Sequence, residues 1–284
     1  MGDDVNALAI HGASLVAGGV FPVAGQSVAR DVAAWNGTDW SALGSGIPHP
    51  PAGDLYNYPG VRALASFEDR VIAGGNFFEA GGAPIEYLAG WNGSSWSPLG
   101  DGVDGPVSAL AVRGGLLIAG GSFSHAGGIP AANLAAWDGY SWSPLGSGVS
   151  GGGVSALAVY SRDLIAAGNF DQAGGSPTAA IARWDGAGWG PLGSGVGGRA
   201  GLVAALTVRG ADLVAGGSFS RAGSEVALNI ARWDGELWGA LGSGMDDAVR
   251  ALTVYNGDLV DGVIEAGEHV AVWDGRDARG TEVA

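Results

Sequence analysis

Three features of the 284-residue sequence predict an all-β fold built from six copies of one unit. Its eleven tryptophans form five pairs, Trp35–Trp40, Trp91–Trp96, Trp137–Trp142, Trp184–Trp189 and Trp233–Trp238, with Trp273 as a sixth first member. Asn-Gly or Asp-Gly follows the first Trp every time, from Asn36-Gly37 to Asp274-Gly275. Short apolar runs beginning at Val5, Val61, Val107, Val154, Val203 and Val249 recur at intervals of 56, 46, 47, 49 and 46 residues. Strand-rich repeats of roughly 40–50 residues are the mark of β-propeller blades. The expectation is a six-bladed β-propeller with four antiparallel strands per blade. It forms a single domain over 1–284, with repeats 5–60, 61–106, 107–153, 154–202, 203–248 and 249–284.

The third copy shows each element in turn. Val107-Ser-Ala-Leu-Ala-Val112 is apolar on both faces, as a strand buried between neighbours should be. Gly114-Gly115 turns the chain into Leu116–Ala119, which ends at Gly120-Gly121 and Phe123. A loop containing Ala126-Gly127-Gly128 comes next, then a strand Asn133–Trp137, the Asp138-Gly139 turn and a strand from Trp142 to Gly146. Asn-Gly and Asp-Gly accept the positive φ that tight hairpins need. A two-residue turn sets Trp137 opposite Tyr140, whereas a four-residue turn sets Trp137 opposite Trp142. Side chains alternate with period two, so either register puts both indoles on one face. The sixth copy departs from the pattern: its second strand shortens to Leu259-Val-Asp-Gly262, and Arg276–Ala284 replaces the closing Trp strand. That blade is expected to be three-stranded or closed by a weak strand near Thr281–Ala284.

Two repeated features have functional alternatives. The Trp pairs could form a sugar-stacking or methyl-ammonium cage, but six equivalent blades need six equivalent cores and rarely six ligand sites. Core packing is therefore the reading adopted. The Gly-Gly pairs, such as Gly120-Gly121, could suggest phosphate cradles. None precedes a helix or a Lys, so close strand packing or a bulge accounts for them better.

Composition narrows the function classes. The chain has no Cys, which excludes disulfides, thiol catalysis and thiolate metal sites. All 13 basic residues are Arg, and the net charge of −15 opposes nucleic acid or an anionic membrane as a partner. No apolar run approaches the ~20 residues that span a bilayer, so membrane insertion is not expected. The opening Met1-Gly2-Asp3-Asp4 reads as no secretory leader.

The order Leu-Ile-Ala-Gly120-Gly121, then Trp137-Asp-Gly-Tyr-Ser-Trp142-Ser-Pro-Leu145, resembles the kelch repeat. The turn is about one residue shorter than in that family, and Trp stands for the usual Tyr. The unit is also similar to kelch-like propeller repeats of bacterial surface proteins and of fungal cell-polarity marker proteins. The resemblance implies a binding or adhesion platform, extracellular or on a bacterial cell surface. Some kelch-like propellers house a copper-radical oxidase built on a Cys–Tyr crosslink, which a Cys-free chain cannot make.

In a four-stranded antiparallel blade, the turns after strands one and three share one edge, and the longer connections share the other. Binding residues concentrate on long, variable loops. The first-to-second connection, 47–60, offers His49, Tyr56 and Tyr58, or else is a Pro-stiffened cover for a blade edge. Two residues after the Phe that follows Gly-Gly, the copies carry Val23, Glu79, His125, Gln172 and Arg221. This variation reads as one asymmetric site or as solvent-facing drift. The tentative ligand-binding set is His49, Tyr56, Tyr58, Glu79, His125, Asp171 and Arg221, for a protein or glycan ligand. No catalytic or metal constellation is visible. His11, His49, His125 and His269 lack ligand spacing. Asp54, Glu79, Asp101, Asp104, Asp171, Asp246 and Asp247 read as solvated acidic surface in preference to a Ca²⁺ loop or a glycosidase pair. The expected function is a non-catalytic, cofactor-free and monomeric binding module. The competing expectations are a polysaccharide hydrolase or lyase, or an architectural spacer.

Overall fold

The computed structural model describes residues 4–48, 60–198, 201–255, 258–261 and 271–273, and none of them is helical. The chain divides into two compact units, Met1–Leu145 and Gly146–Ala284. The first unit holds three four-stranded antiparallel sheets, each made from one sequence repeat and each keeping strands in chain order. Its third sheet runs Val107–Arg113, Leu116–Gly121, Leu134–Trp137 and Trp142–Pro144. The second unit holds two sheets of the same plan and a three-stranded sheet of Leu252–Tyr255, Asp258–Asp261 and Ala271–Trp273. The expected weak strand near Thr281–Ala284 lies outside the described residues.

The strand register settles the turn. Trp137 pairs directly with Trp142, so the loop is the four-residue one. Asp138 Oδ1 accepts the backbone N–H groups of Tyr140 and Ser141 at 2.8 and 2.7 Å, an Asx turn that closes the hairpin. Those two N–H groups also hold the Asp138 carboxyl below its ordinary value. Asn92, Asp185 and Asp234 make the same turn in their own copies.

Direct pairing puts the two indoles side by side. Their centroids lie 5.3 Å apart and tilt by 46° in the third repeat, and 5.5–5.6 Å apart with tilts of 47–55° in the other four. Three of the pairs grip the preceding repeat in two ways. The second indole donates Nε1–H to a backbone carbonyl: Trp96 to Leu43, Trp142 to Leu99 and Trp238 to Leu192, each at 2.8 Å. The first indole lies on a left-handed glycine one residue further on, so that a Cβ built on Gly100 would fall 2.9 Å from Trp137 Cζ3. Gly44 meets Trp91 and Gly193 meets Trp233 in the same way. Trp96, Trp137, Trp142, Trp233 and Trp238 are buried, and Trp40 and Trp91 are half-buried against core residues, the packing role that their repetition implies.

The Gly-Gly pairs are close-packing sites. A Cβ on Gly74 would meet Val107 Cγ1 of the next repeat at 2.6 Å, and one on Gly121 would overlap its own first strand at Pro106. That first strand is bulged between Val107 and Ala109, and the corresponding strands of the other four-stranded sheets carry the same irregularity. Covering the inner row by a preceding sheet buries it: Val61 is 0% and Leu64 9% exposed. The equivalent Val5 and Leu8 of the first repeat are 57% and 60% exposed.

Gly100 and Gly114 have nearly the same backbone, at φ +58° and +60°, but no atom lies within 4 Å of a Cβ on Gly114. Gly114→Ala is expected to cost about 1 kcal/mol, the left-handed penalty alone. Gly100→Ala is expected to cost a further ~1–3 kcal/mol, because Trp137 is wedged and cannot yield. Urea unfolding of the two variants measures the difference.

Candidate functional site

The segment after each Phe, expected as a loop, is a two-residue β-hairpin. Val23–Ala24 pairs with Ser27–Val28, His125–Ala126 with Ile129–Pro130, Gln172–Ala173 with Ser176–Pro177, and Arg221–Ala222 with Glu225–Val226. In the second copy the hairpin reduces to an Ala80–Ala83 bridge. Strands this short carry no periodicity, so the sequence pattern could not reveal them. The hairpin turn rests on the second Trp of its own repeat. A Cβ on Gly127 would lie 3.0 Å from Trp142 Cβ, and Gly81 stands in the same relation to Trp96. Alternation then buries the second hairpin residue, as in Ala80, Ala126, Ala173 and Ala222, and turns the first one outward.

The connection arriving from the preceding repeat lies alongside this hairpin as a further strand. Val103 bridges Ala126 in the first unit. In the second unit, Val149–Ser150 pairs with Gln172–Ala173, and Val196–Gly197 pairs with Arg221–Ala222. This pairing sets Asp104 against His125, and it assembles a polar cluster from residues 21 positions apart. Asp104 accepts four hydrogen bonds, from Ser124 N–H (2.7 Å), Ser124 Oγ (2.7 Å), His125 N–H (2.8 Å) and His125 Nδ1 (2.8 Å). Burial alone would raise the Asp104 carboxyl, but these bonds outweigh it and hold the carboxyl well below the ordinary carboxylate range. Ser124 Oγ also stands 2.9 Å from His125 Nδ1.

Aspartate, serine and histidine in contact invite comparison with a nucleophilic triad. In a triad, one imidazole nitrogen takes the serine proton and the other is held by the carboxylate. Here the single nitrogen Nδ1 faces both groups, and the Ser124 hydroxyl donates to Asp104. The cluster is a clamp between the connection and the hairpin, with the exposed His125 ring on its outer side.

The other expected site residues divide by unit. Glu79, in the first unit, is exposed next to Phe78, which stacks edge-on to Tyr87 with ring centroids 5.5 Å apart. Tyr87 was not anticipated as a site residue. Burial pushes its phenol up, and the charges of Glu86 and Asp104 add to the shift. In the second unit, Asp171 is exposed with its carboxylate over Gly151, where a Cβ would overlap it. Arg221 spends its guanidinium on its own turn, donating from Nη2 to Ser224 O at 2.8 Å. His49, Tyr56 and Tyr58 lie outside the described residues, as do Asp54 and His269. His11 contacts Ser66 Oγ through Nδ1 at 2.8 Å. Among the described residues, no three His, Asp or Glu side chains gather as metal ligands, and no helix is long and apolar enough to cross a membrane.

No family model matches the chain, and no curated protein does. Solved structures do match. The computationally designed Ika8 protein is 18% identical with a TM-score of 0.53, over 100% of this chain and 77% of that one. The likeness is one of fold alone. The WD40 β-propeller domain of Doa1 is 14% identical with a TM-score of 0.49, over 90% of this chain and 75% of that one.

Asp104 binds its proton more weakly in the folded protein than in the unfolded chain. Its contribution is therefore complete above the unfolded carboxylate range, near pH ~4, and is lost as pH falls towards the folded value. Asp104→Asn is expected to lower stability at neutral pH by on the order of 1 kcal/mol, an amount discounted for its exposed setting. The variant should also show a flatter loss of stability below pH ~4, measured by thermal melts across pH.

Proposed function

We propose that this chain is a binding or scaffold module, a single-domain, six-bladed, kelch-like β-propeller that holds a protein or glycan ligand without catalysing a reaction. The observation that carries the reading is the row of hairpins. One backbone frame, seated on one Trp contact, presents a different exposed residue in each copy: Val23, Glu79, His125, Gln172 and Arg221. A frame held constant while its outward residue varies is suited to recognition, and repeated-sheet scaffolds in general serve that role. On the sequence pattern alone, His49, Tyr56 and Tyr58 of the 47–60 connection belong to the proposed ligand set as well. The resemblance to kelch-like surface proteins favours a monomeric, secreted or cell-surface bacterial setting.

A glycan and peptide array tests the reading. His125→Ala/Arg221→Ala and Tyr56→Ala/Tyr58→Ala variants should each lose at least about tenfold of any binding found for the wild type. Binding that survives both pairs would place the ligand elsewhere. Release of reducing ends from any polysaccharide would overturn the non-catalytic part.

A further inference from the structure

The hairpin frame has a built-in capping position that two repeats abandon. Among the described residues, the residue just before the third strand is left-handed in the five four-stranded repeats: Asp31 (φ 70°), Tyr87 (61°), Asn133 (66°), Ala180 (59°) and Asn229 (61°). Its N–H donates to the carbonyl of the repeat's Phe each time, at 2.8–3.2 Å, so the backbone is the same throughout. Where the residue is Asp or Asn, the side chain caps that Phe. Asp31 Oδ1 accepts Phe21 N–H at 2.8 Å, Asn133 Oδ1 accepts Phe123 N–H at 3.2 Å, and Asn229 Oδ1 accepts Phe219 N–H at 3.3 Å. Asp and Asn also tolerate this region of φ best among side chains with a Cβ. Ala180 and Tyr87 forgo both advantages, and Tyr87 alone puts a large ring there.

A second exception lies against the first. The residue following the buried Phe is Pro22, Ser124, Asp171 or Ser220 in the other copies, and in this one it is Phe78. Phe78 is 46% exposed although Phe77 beside it is fully buried. The two exceptional residues meet edge-to-face, and their neighbours in the chain are Glu79 and Glu86. The field of Asp104 reaches the Tyr87 phenol as well. From Val71 to Val112 the sequence has four carboxylates and no Arg. Tyr87 is half-buried and packs against the core cluster that holds Val107, Phe123 and Trp137, so the exposed member of the pair is Phe78. An exposed aromatic ring with carboxylates on neighbouring residues attracts a cation to the ring face and the carboxylates together.

We propose that the Phe78–Tyr87 pair, flanked by Glu79 and Glu86, is a docking surface for a basic segment of a protein partner, with a Lys or Arg side chain laid against the aromatic rings. The proposal rests on the binding role argued above and names the partner's chemistry for one part of that face.

Fluorescence anisotropy with a dye-labelled Gly-Lys-Gly-Lys-Gly-Lys-Gly peptide and its Arg counterpart tests it on the full chain. The variants are Phe78→Ser and Tyr87→Asn, each installing the residue that the third repeat carries at the same place, so the hairpin frame is retained. Thermal melts check that both variants remain folded, since Tyr87→Asn gains the cap but gives up the packing of the Tyr87 ring. The expected result is binding of the Lys or Arg peptide, weakened about tenfold by either substitution and abolished when the lysines are acetylated. Equal affinity in wild type and both variants would show diffuse attraction to a chain of charge −15 and would overturn the proposal. No binding of either peptide at millimolar concentration would also overturn it. If array ligands still depend on His125 and Arg221 in that case, the broader reading stands and this one alone falls.

Discussion

The pairing of two tryptophans across a four-residue turn is the contact on which the rest of the structure depends. Antiparallel register sets the indoles opposite each other, and their bulk forces the preceding repeat to present glycine where the first ring lies. The second ring secures that glycine's neighbour through an indole N–H to carbonyl bond. A buried bond of this kind contributes about 1 kcal/mol, and an aromatic pair adds roughly 0.5–1.5 kcal/mol beyond the area it buries. These are modest amounts individually. Repeated from one sheet to the next, they fix both spacing and orientation, since a sliding sheet would break the bond and collide with the ring.

The same tryptophans support the hairpins. The second indole is covered on its outer side by the hairpin glycine, as Gly127 covers Trp142. The frame that holds the recognition residues is thereby tied to the core, and its outward residue is left free to differ from copy to copy. The second repeat uses this freedom most. It places Tyr87 in a left-handed backbone that three sister repeats fill with Asp or Asn and one with Ala, next to an exposed Phe78. The third repeat uses it differently, clamping the arriving connection with Asp104, Ser124 and His125.

Much of the fold was legible because its signals are local and periodic. Tryptophan spacing, Asn-Gly and Asp-Gly turns and apolar runs located the strands of the regular repeats and marked the sixth as irregular. The choice between two turn lengths was not legible, since both registers put the indoles on one face. The two-residue hairpins were missed because alternation cannot show in strands of that length. Of the candidate site, the outward residues of the hairpins were picked out by their variation, whereas Tyr87 was not. Its significance lies in a backbone angle and in the ring beside it, and neither leaves a mark in the order of residues.

What the sequence determined alone is the repeating unit: its length, its four strands, its turns and its tryptophan core. These follow from side-chain alternation and turn chemistry acting over a few residues. The tertiary structure alone decided which residues meet. Asp104 reaches His125 because a connection from one repeat runs antiparallel to the hairpin of the next, and Phe78 reaches Tyr87 because the hairpin folds the chain back on itself. Contacts across such separations depend on strand pairing between segments, a property of the folded chain that no local pattern encodes.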